Sequence, residues 1–546
     1  MTSGDSHTGG KSRRTFLAGA GSAAVAAALA GCSSGGDTET TTETTTSGGS
    51  DTTTETDTQT TSGSEKFPVT ITQGQMPTTL DPQNHRSTPT DNVVLHVYEG
   101  LLSRTRTGKM QAQLATDWER LEDGKIKFKI REGVTFHSGN DLTTEDVEYS
   151  VNRIVDSDVG ITSPQSDQLS GVTGAKAVDG ERAVTVTSDG LNPIVFSLFA
   201  TYGDMMEKRW VQEHDKSYIA TNMNGTGPFK FKSYEQGVQV VLARNEDYWQ
   251  EPAAVSELTF NAAESNNSRV SQLLSGETDI IVNVQPQDIS RVQSSDDARV
   301  DAVPSTRVIY NGMRYDVEPF DSVKFRQAMN YAVDLQSIVK NVLQTFGDRT
   351  GQPTLEGFVG YNEDVRPYEH DKAKAEQLVE ESGYAGASIT LHTPVGRYLK
   401  DLEIARAVVN QINSLSNVNA TVKQRDFGAL AGELTDGDIT TGPHFYLIGW
   451  GNATFDASQT IIPLLTSSGT LTSYKNPDLD SLIEKAQSES DPAKRKEYLR
   501  EANKLCHDEA PWIFLNRQYS VYGVSSRVSW KARRDERIDA YAMEKA

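Results

Sequence analysis

The chain has two cysteines in 546 residues, Cys32 and Cys506. Cys32 closes a short apolar stretch near the start, so Cys506 is left alone and no intramolecular disulfide is available. Cys506 falls in an apolar helical pattern and reads as a buried small hydrophobe. The nine histidines are scattered, with no two within four positions of each other. Without HExxH or a cysteine pair, no metal centre is expected. The body past residue 66 has no G-x-S-x-G elbow, and the chain has no G-x-x-x-x-G-K-[ST] phosphate loop. GTGPFKF (225–231) has two glycines at a suitable step, but Pro228 and a strand-like continuation do not suit a dinucleotide loop. No catalytic group and no cofactor is called for. Basic residues are also short: 53 Lys and Arg face 75 Asp and Glu, a net charge of -22. A polyanionic surface disfavours nucleic acid and anionic lipid.

Long hydrophobic runs are missing as well. The apolar run from Phe16 to Ala30 is 15 residues, against roughly 20 for a membrane span. It has a basic start, a short apolar middle and a small-residue end, the layout of an export signal. Arg13-Arg14 followed by Phe16-Leu17 resembles a twin-arginine signal. The end, Leu29-Ala30-Gly31-Cys32, resembles the lipobox of prokaryotic lipoproteins, in which Cys32 becomes a lipid-modified N-terminus. Residues 33–66 are Thr, Ser, Gly, Asp and Glu with hardly an apolar residue. Such a stretch buries too little to offset ordering entropy and reads as a disordered, stalk-like linker. The expected localisation is therefore the extracellular face of the cell membrane, by a lipid anchor. The acidic charge is spread along the chain and keeps it soluble where salt screens self-repulsion; with the twin-arginine signal it hints at a haloarchaeon.

Past residue 66 some 480 residues remain, more than one core usually holds, so two or three domains are expected. In DGKIKFKI (123–130) a turn precedes Ile126, Phe128 and Ile130 alternating with lysine, the pattern of a half-buried hairpin. Thr143 or Thr144 caps a following helix, with Glu145 and Asp146 in its first turn. From Pro319 to Leu343 a helical period places Phe325, Ala328, Met329, Ala332, Val339 and Leu343 on one face behind a cap at Asp321 or Ser322. Asp491-Pro492 opens another helix with Tyr498, Leu499, Ala502 and Leu505 inward. Strands and helices alternate without a strict βαβ rhythm, so mixed α/β lobes are expected.

Nine segments resemble one family in order and spacing. They are YEGLL (98–102), the long run LATDWERLEDGKIKFKIREGVTFHSGNDLTTEDVEYSVNRI (114–154), GTGPFKF (225–231), ARNEDYW (243–249) and QLLSGETDI (272–280). PFDSVKFRQAMNYAVD (319–334), YEHDKAKAEQLVEESGY (368–384), GWGNATFD (449–456) and SYKNPDLDSLIEKA (473–486) follow. Together they resemble the extracytoplasmic solute-binding proteins of peptide/nickel-type ABC importers, family 5. The resemblance implies a two-lobed periplasmic-binding-protein-like α/β fold, type II, with mixed sheets joined by a hinge and an extra subdomain. Lobe I is expected to comprise 67–104, 220–310 and 515–546, the subdomain 105–219, and lobe II 311–514. The chain would cross between lobes near residue 310 and return near 515. The implied function is capture of di- or oligopeptides, or of a nickel chelate, oligosaccharide or other small solute, by hinge closure. The protein would act as a monomer, deliver to a membrane permease and not be an enzyme.

The apolar run FYLIGW (445–450) reads as a buried strand, and ligands of open α/β sheets bind outside strand ends. Trp450 and Asn452 are therefore candidates to stack on and hydrogen-bond a ligand. Peptide-binding members use an Asp in this loop for the ligand's α-amino group. Here Asp456 is the only acid in the loop, and Ala453 occupies the place where some of them carry the Asp. Tyr98 and Glu99 on the first lobe, and Arg314 after the crossover, complete the candidate set, Arg314 as a fork for a carboxylate. Gly100, Gly124, Gly225 and Gly227 suit turns, while Tyr248, Trp249 and His137 read as packing residues.

Overall fold

A computed structural model describes residues 66–546 apart from residue 437. The expected signal with Arg13, Arg14 and Cys32, and the linker up to residue 65, lie outside the described residues. Among the described residues no helix is long and apolar enough to cross a membrane.

One large mixed sheet runs through the body. Its strand order is Val418–Arg425, Ala387–Pro394, Phe445–Gly451, Ala298–Met313, Trp512–Ser525, Ile280–Ile281, Phe67–Gln73, Val255–Ala262, Gln239–Arg244 and Phe229–Glu235. The two long central strands, Ala298–Met313 and Trp512–Ser525, pair antiparallel on both sides of a gap at residues 305–307. Their first pairing block joins 298–304 to 519–525, and the register slips before Val308 meets Arg517. On one side of that slip the neighbour is Ile280–Ile281, and on the other Phe445–Gly451. The sheet is thus divided into two halves that share only these two strands. A first core gathers Val69, Ile71, Phe229, Leu258 and Phe260 in one half; a second gathers Phe325, Met329, Leu391, Ile404 and Leu447 in the other and reaches across to Ile281, Val284 and Ala298. The molecule is two-lobed, and the register slip marks where the lobes meet.

The first lobe carries a separate four-stranded antiparallel sheet in the order Ala115–Glu122, Lys125–Ile130, Ala183–Ser188 and Val172–Ala177. Gly124 takes a φ of +74° in the turn after Asp123, a conformation that suits glycine. Ile126, Phe128 and Ile130 all face inward, and the intervening lysines point away. Helix Thr144–Val155 covers the sheet. Its cap is Thr143, whose hydroxyl accepts the Asp146 N–H while the Asp146 carboxylate accepts the Thr143 N–H.

In the second lobe, the helical period read from 319 to 343 is interrupted. Helix Val323–Ala332 is capped by Ser322 and stops at Val333, whose backbone is extended. Asp334 then accepts the Ser337 N–H and starts a new short turn. The apolar period survives the break because Phe325 and Met329 before it and Leu335, Ile338 and Leu343 after it pack on one core, which a sequence pattern reads as a single helix. Helix Pro492–Glu509 does run unbroken behind its Asp491 cap, burying Leu499, Ala502 and Cys506.

Candidate functional site

Two small cavities lie between the lobes, where the central strands change register. The first, about 50 Å³, is bounded by Thr88, Asn92 and Asn283 of the first lobe and by Gly396 and Arg397 of the second. The second, about 110 Å³, is bounded by His85, Asp91 and Asp204 on one side and by Gly449, Trp450 and Ala453 on the other. Thr88 and Glu536 line both, so the two adjoin. The lobes are closed over them. Thr201 Oγ1 donates to the Ala453 carbonyl at 3.4 Å, Gln459 Nε2 to the Gln168 carbonyl at 3.4 Å, and Thr470 Oγ1 to Asp167 at 3.1 Å.

Arg307, at the register slip, ties the two halves together. Its Nε and Nη2 donate to Glu536, Nη1 donates to the Gly449 carbonyl at 2.9 Å, and Nη2 also donates to Thr88 Oγ1 at 2.9 Å. Such close approach needs the glycines on either side of Trp450. A Cβ on Gly449 would sit 2.6 Å from Ile309, and one on Gly451 would sit 2.9 Å from the Arg307 guanidinium.

Arg397 differs from every other arginine of the cleft. It is 8 % exposed, yet its guanidinium makes no hydrogen bond and no ion pair, and Nε is buried without a partner. It rests on the rings of Tyr398 and Phe427, 4.8 and 5.1 Å from their centroids. Burial and the neighbouring Arg307 hold its pKa below the usual arginine value. The turn is fixed from below by Asp401, whose carboxylate accepts the N–H groups of Gly396, Arg397 and Tyr398. From the first lobe, Asn283 donates to the Arg397 carbonyl at 3.2 Å. A buried, fixed and unpaired fork of donors is suited to a ligand carboxylate.

Of the six candidate residues, only Trp450 borders these interlobe cavities; its Nε1 is buried without a partner. Asn452 does not serve as a free amide. It donates to the Asp456 carbonyl and Thr460 Oγ1 and accepts from the N–H and hydroxyl of Thr454, which uses all of its capacity to shape the loop. Asp456 is not open to a ligand either: Arg495 holds both its oxygens and Ser458 donates to it twice. Arg314 is spent on Asp316 and the Thr440 carbonyl. It follows Met313, which pairs with Phe445, whereas the cleft lies at the Arg307–Gly451 end of that ladder, roughly 20 Å away along the strand.

Tyr98 and Glu99 line a different space, a chamber of about 430 Å³ within the first lobe that adjoins the cleft at Asp91 and Asp204. Tyr98 is buried, and its hydroxyl accepts the Asn224 N–H. The Glu99 carboxylate accepts from Trp249 Nε1, Thr226 Oγ1, Tyr248 Oη and Gln113 Nε2 at 2.8–3.1 Å. Burial still holds its pKa above the usual carboxylate value. Glu99 thus bolts together the YEGLL, GTGPFKF and ARNEDYW segments, and its place is structural. Gly225 and Gly227 belong to the same joint, because a Cβ there would fall 2.0 Å from the Val97 carbonyl oxygen and 2.6 Å from that of His96. Among the described residues no group of three or more His, Cys, Asp or Glu is placed to hold a metal.

The sequence reasoning missed Arg397. The signal was present: Arg397 follows strand Ala387–Pro394 and precedes helix Asp401–Ile412. This is the same strand-end position that singles out Trp450.

Residues 109–472 match the model of bacterial extracellular solute-binding proteins, family 5 (its middle region). The chain belongs to this family. This family 5 protein is similar to the glutathione-binding protein GsiB of Shigella flexneri serotype 5b, with 25 % identity over 460 residues, covering 82 % of the chain and 88 % of the relative. Its fold is similar to that of the periplasmic binding protein DppA of Helicobacter pylori, solved with the peptide STSA. The TM-score is 0.81 at 20 % identity, over 88 % of this chain and 99 % of that one. The dipeptide-binding protein of Pseudoalteromonas sp. SM9913, solved with Met-Leu, gives 0.80 at 20 % identity, over 88 % and 100 %. Family 5 membership makes the chain the solute-binding component of an ABC importer, working outside the cytoplasm.

Proposed function

We propose that this protein captures short peptides outside the cell and hands them to a membrane permease, and that Arg397 receives the peptide's carboxylate. The observation that carries this reading is the buried guanidinium that makes no hydrogen bond or ion pair, in a cleft bounded by both lobes. A ligand that bridges Arg397 and the first lobe contacts both halves only when they are together, so its binding energy favours closure. The small volumes of the closed cleft favour a di- or tripeptide over a long one. Relatives named for glutathione and for peptides support the same class. The protein binds and releases its ligand without altering it, acts as a monomer, and is held to the outer face of the membrane by a lipid on Cys32. Its surface charge of -22 suits a high-salt medium.

The test is calorimetry of Ala-Leu and of its C-terminal amide. Amidation is expected to weaken binding by at least about tenfold in the wild type and to have no effect in Arg397→Gln. A sugar or a metal chelate recovered from the cleft would overturn the peptide reading and leave the family intact.

A further inference from the structure

A peptide with its carboxylate on Arg397 brings a second charge, its ammonium, and the second lobe offers nothing to meet it. The residues that lobe contributes to the two cavities include no acid, and Asp456 is committed to Arg495.

The first lobe offers two. Asp204 is 9 % exposed and lines both the cleft and the chamber behind it. Its carboxylate makes no ion pair and meets only its own main-chain N–H, while its main-chain carbonyl accepts from Gln83. Arg537 acts on it only through space, because that guanidinium donates to the Thr201 carbonyl at 2.6 Å. Asp91 stands in the first turn of helix Thr88–Val94, one turn from Thr88, so it shares a face with a residue that borders the Arg397 cavity. The nearest titratable partner of Asp91 is His85 Nε2 at 3.9 Å. His85 is buried, its Nδ1 accepts the Ser87 N–H, and burial holds its pKa below the usual value, so it is neutral at pH 7 and makes no charged pair with Asp91, on which Arg307 acts only through space.

The other acids of the cleft have partners: Glu536 is paired with Arg307 and Asp535 with Arg533. Arg86 is taken by Asp167. Asp204, buried without an ion pair beside the half-exposed Asp91, is costly as a carboxylate unless a cation joins it. We propose that Asp91 and Asp204 form an ammonium-binding subsite on the first lobe, and that the ligand is a small zwitterion spanning from this subsite to Arg397. The span rests on the reading of Arg397 given above; the subsite rests on its own residues.

The experiment is calorimetry on wild type, Asp91→Asn, Asp204→Asn and the double variant, with Ala-Leu, N-acetyl-Ala-Leu and Ala-leucinamide as probes. Both substitutions keep side-chain shape, and thermal melting verifies that each variant is folded. The wild type is expected to bind Ala-Leu at least about thirtyfold more tightly than its N-acetyl form. In the double variant that ratio should fall below about threefold, with the penalty for C-terminal amidation retained. An unchanged ratio in the double variant overturns the subsite and leaves Arg397 standing. Loss of the ratio without any amidation penalty in the wild type upholds the subsite and removes Arg397. If none of the three probes binds, mass spectrometry of ligand extracted from the purified protein decides. A ligand without a basic nitrogen overturns the subsite. An amine recovered from the wild type and missing from the double variant supports it.

Discussion

Asp456 and Arg495 form a bidentate ion pair, with Nη1 and Nη2 at 2.7 and 2.9 Å from the two carboxylate oxygens and both side chains almost fully buried. The pair locks the loop after Trp450 onto helix Pro492–Glu509. Removing one partner strands the other charge, so Asp456→Ala should cost about 3–5 kcal/mol, read as a lower midpoint in urea unfolding. Any loss of affinity should then be equal for Ala-Leu and its N-acetyl form. A variant of unchanged stability that has lost only the free peptide would make Asp456 a ligand contact instead.

The Asp204 carboxyl is pushed up to about 7, first by burial and then by the charges of Asp91 and Glu99, against the pull of Arg537. Between about pH 4 and pH 7 the folded chain therefore holds a proton that the unfolded chain has lost. Stability should fall as pH rises through that window, by up to about 4 kcal/mol. Asp401, pushed up to about 6 by burial, slopes the same way, so the Asp204 share is the difference between wild type and Asp204→Asn in urea unfolding at pH 5 and pH 7.5. Equal slopes in the two proteins would contradict it. An ammonium arriving beside Asp204 near pH 7 should expel the proton, detected as a binding enthalpy that varies with the ionisation heat of the buffer.

Gly227→Ala puts a methyl group 2.6 Å from the His96 carbonyl oxygen, which is backbone and has no rotamer to yield. The expected outcome is a loss of a few kcal/mol and a melting temperature lowered by several degrees. Gly180→Ala, at a turn with nothing within 4 Å of the added Cβ, should disturb no packing and lose less. Equal losses would mean that backbone conformation and not the close approach decides.

Excess negative charge predicts that the melting temperature rises with sodium chloride from low to molar concentration, as the self-repulsion of -22 charges is screened. A flat salt series would remove the charge argument for a saline habitat.

Much of the fold could be read directly. The Asp123-Gly124 turn, the inward Ile126, Phe128 and Ile130, and the caps at Thr143 and Asp491 are local signals, settled within a few residues. The break at Val333 was hidden because an interrupted helix that stays on one core keeps its apolar period. The site was harder, since a side chain's availability is set by partners far away in the chain. Asp456 looks free until Arg495 is seen, 39 positions on. Asn452 looks free until Thr460 is seen. Conversely, Arg397 and Asp204 look ordinary among 53 basic and 75 acidic residues, and only the fold shows that neither is held in an ion pair and that opposite charges reach them only through space.

The two strands that run unbroken through both lobes, Ala298–Met313 and Trp512–Ser525, carry all the sheet continuity between them. The first-lobe core around Val69 and Phe260 stands by itself, while the second-lobe core reaches past the slip to Ile281, Val284 and Ala298, so bending there slides one packed seam and leaves the rest of both interiors in place. Cargo therefore does not have to remodel the receptor; it has only to choose one of two settings of a paired ribbon. A permease that reads this setting senses occupancy without touching the cargo, and the pocket is free to change its chemistry while the docking faces stay as they are.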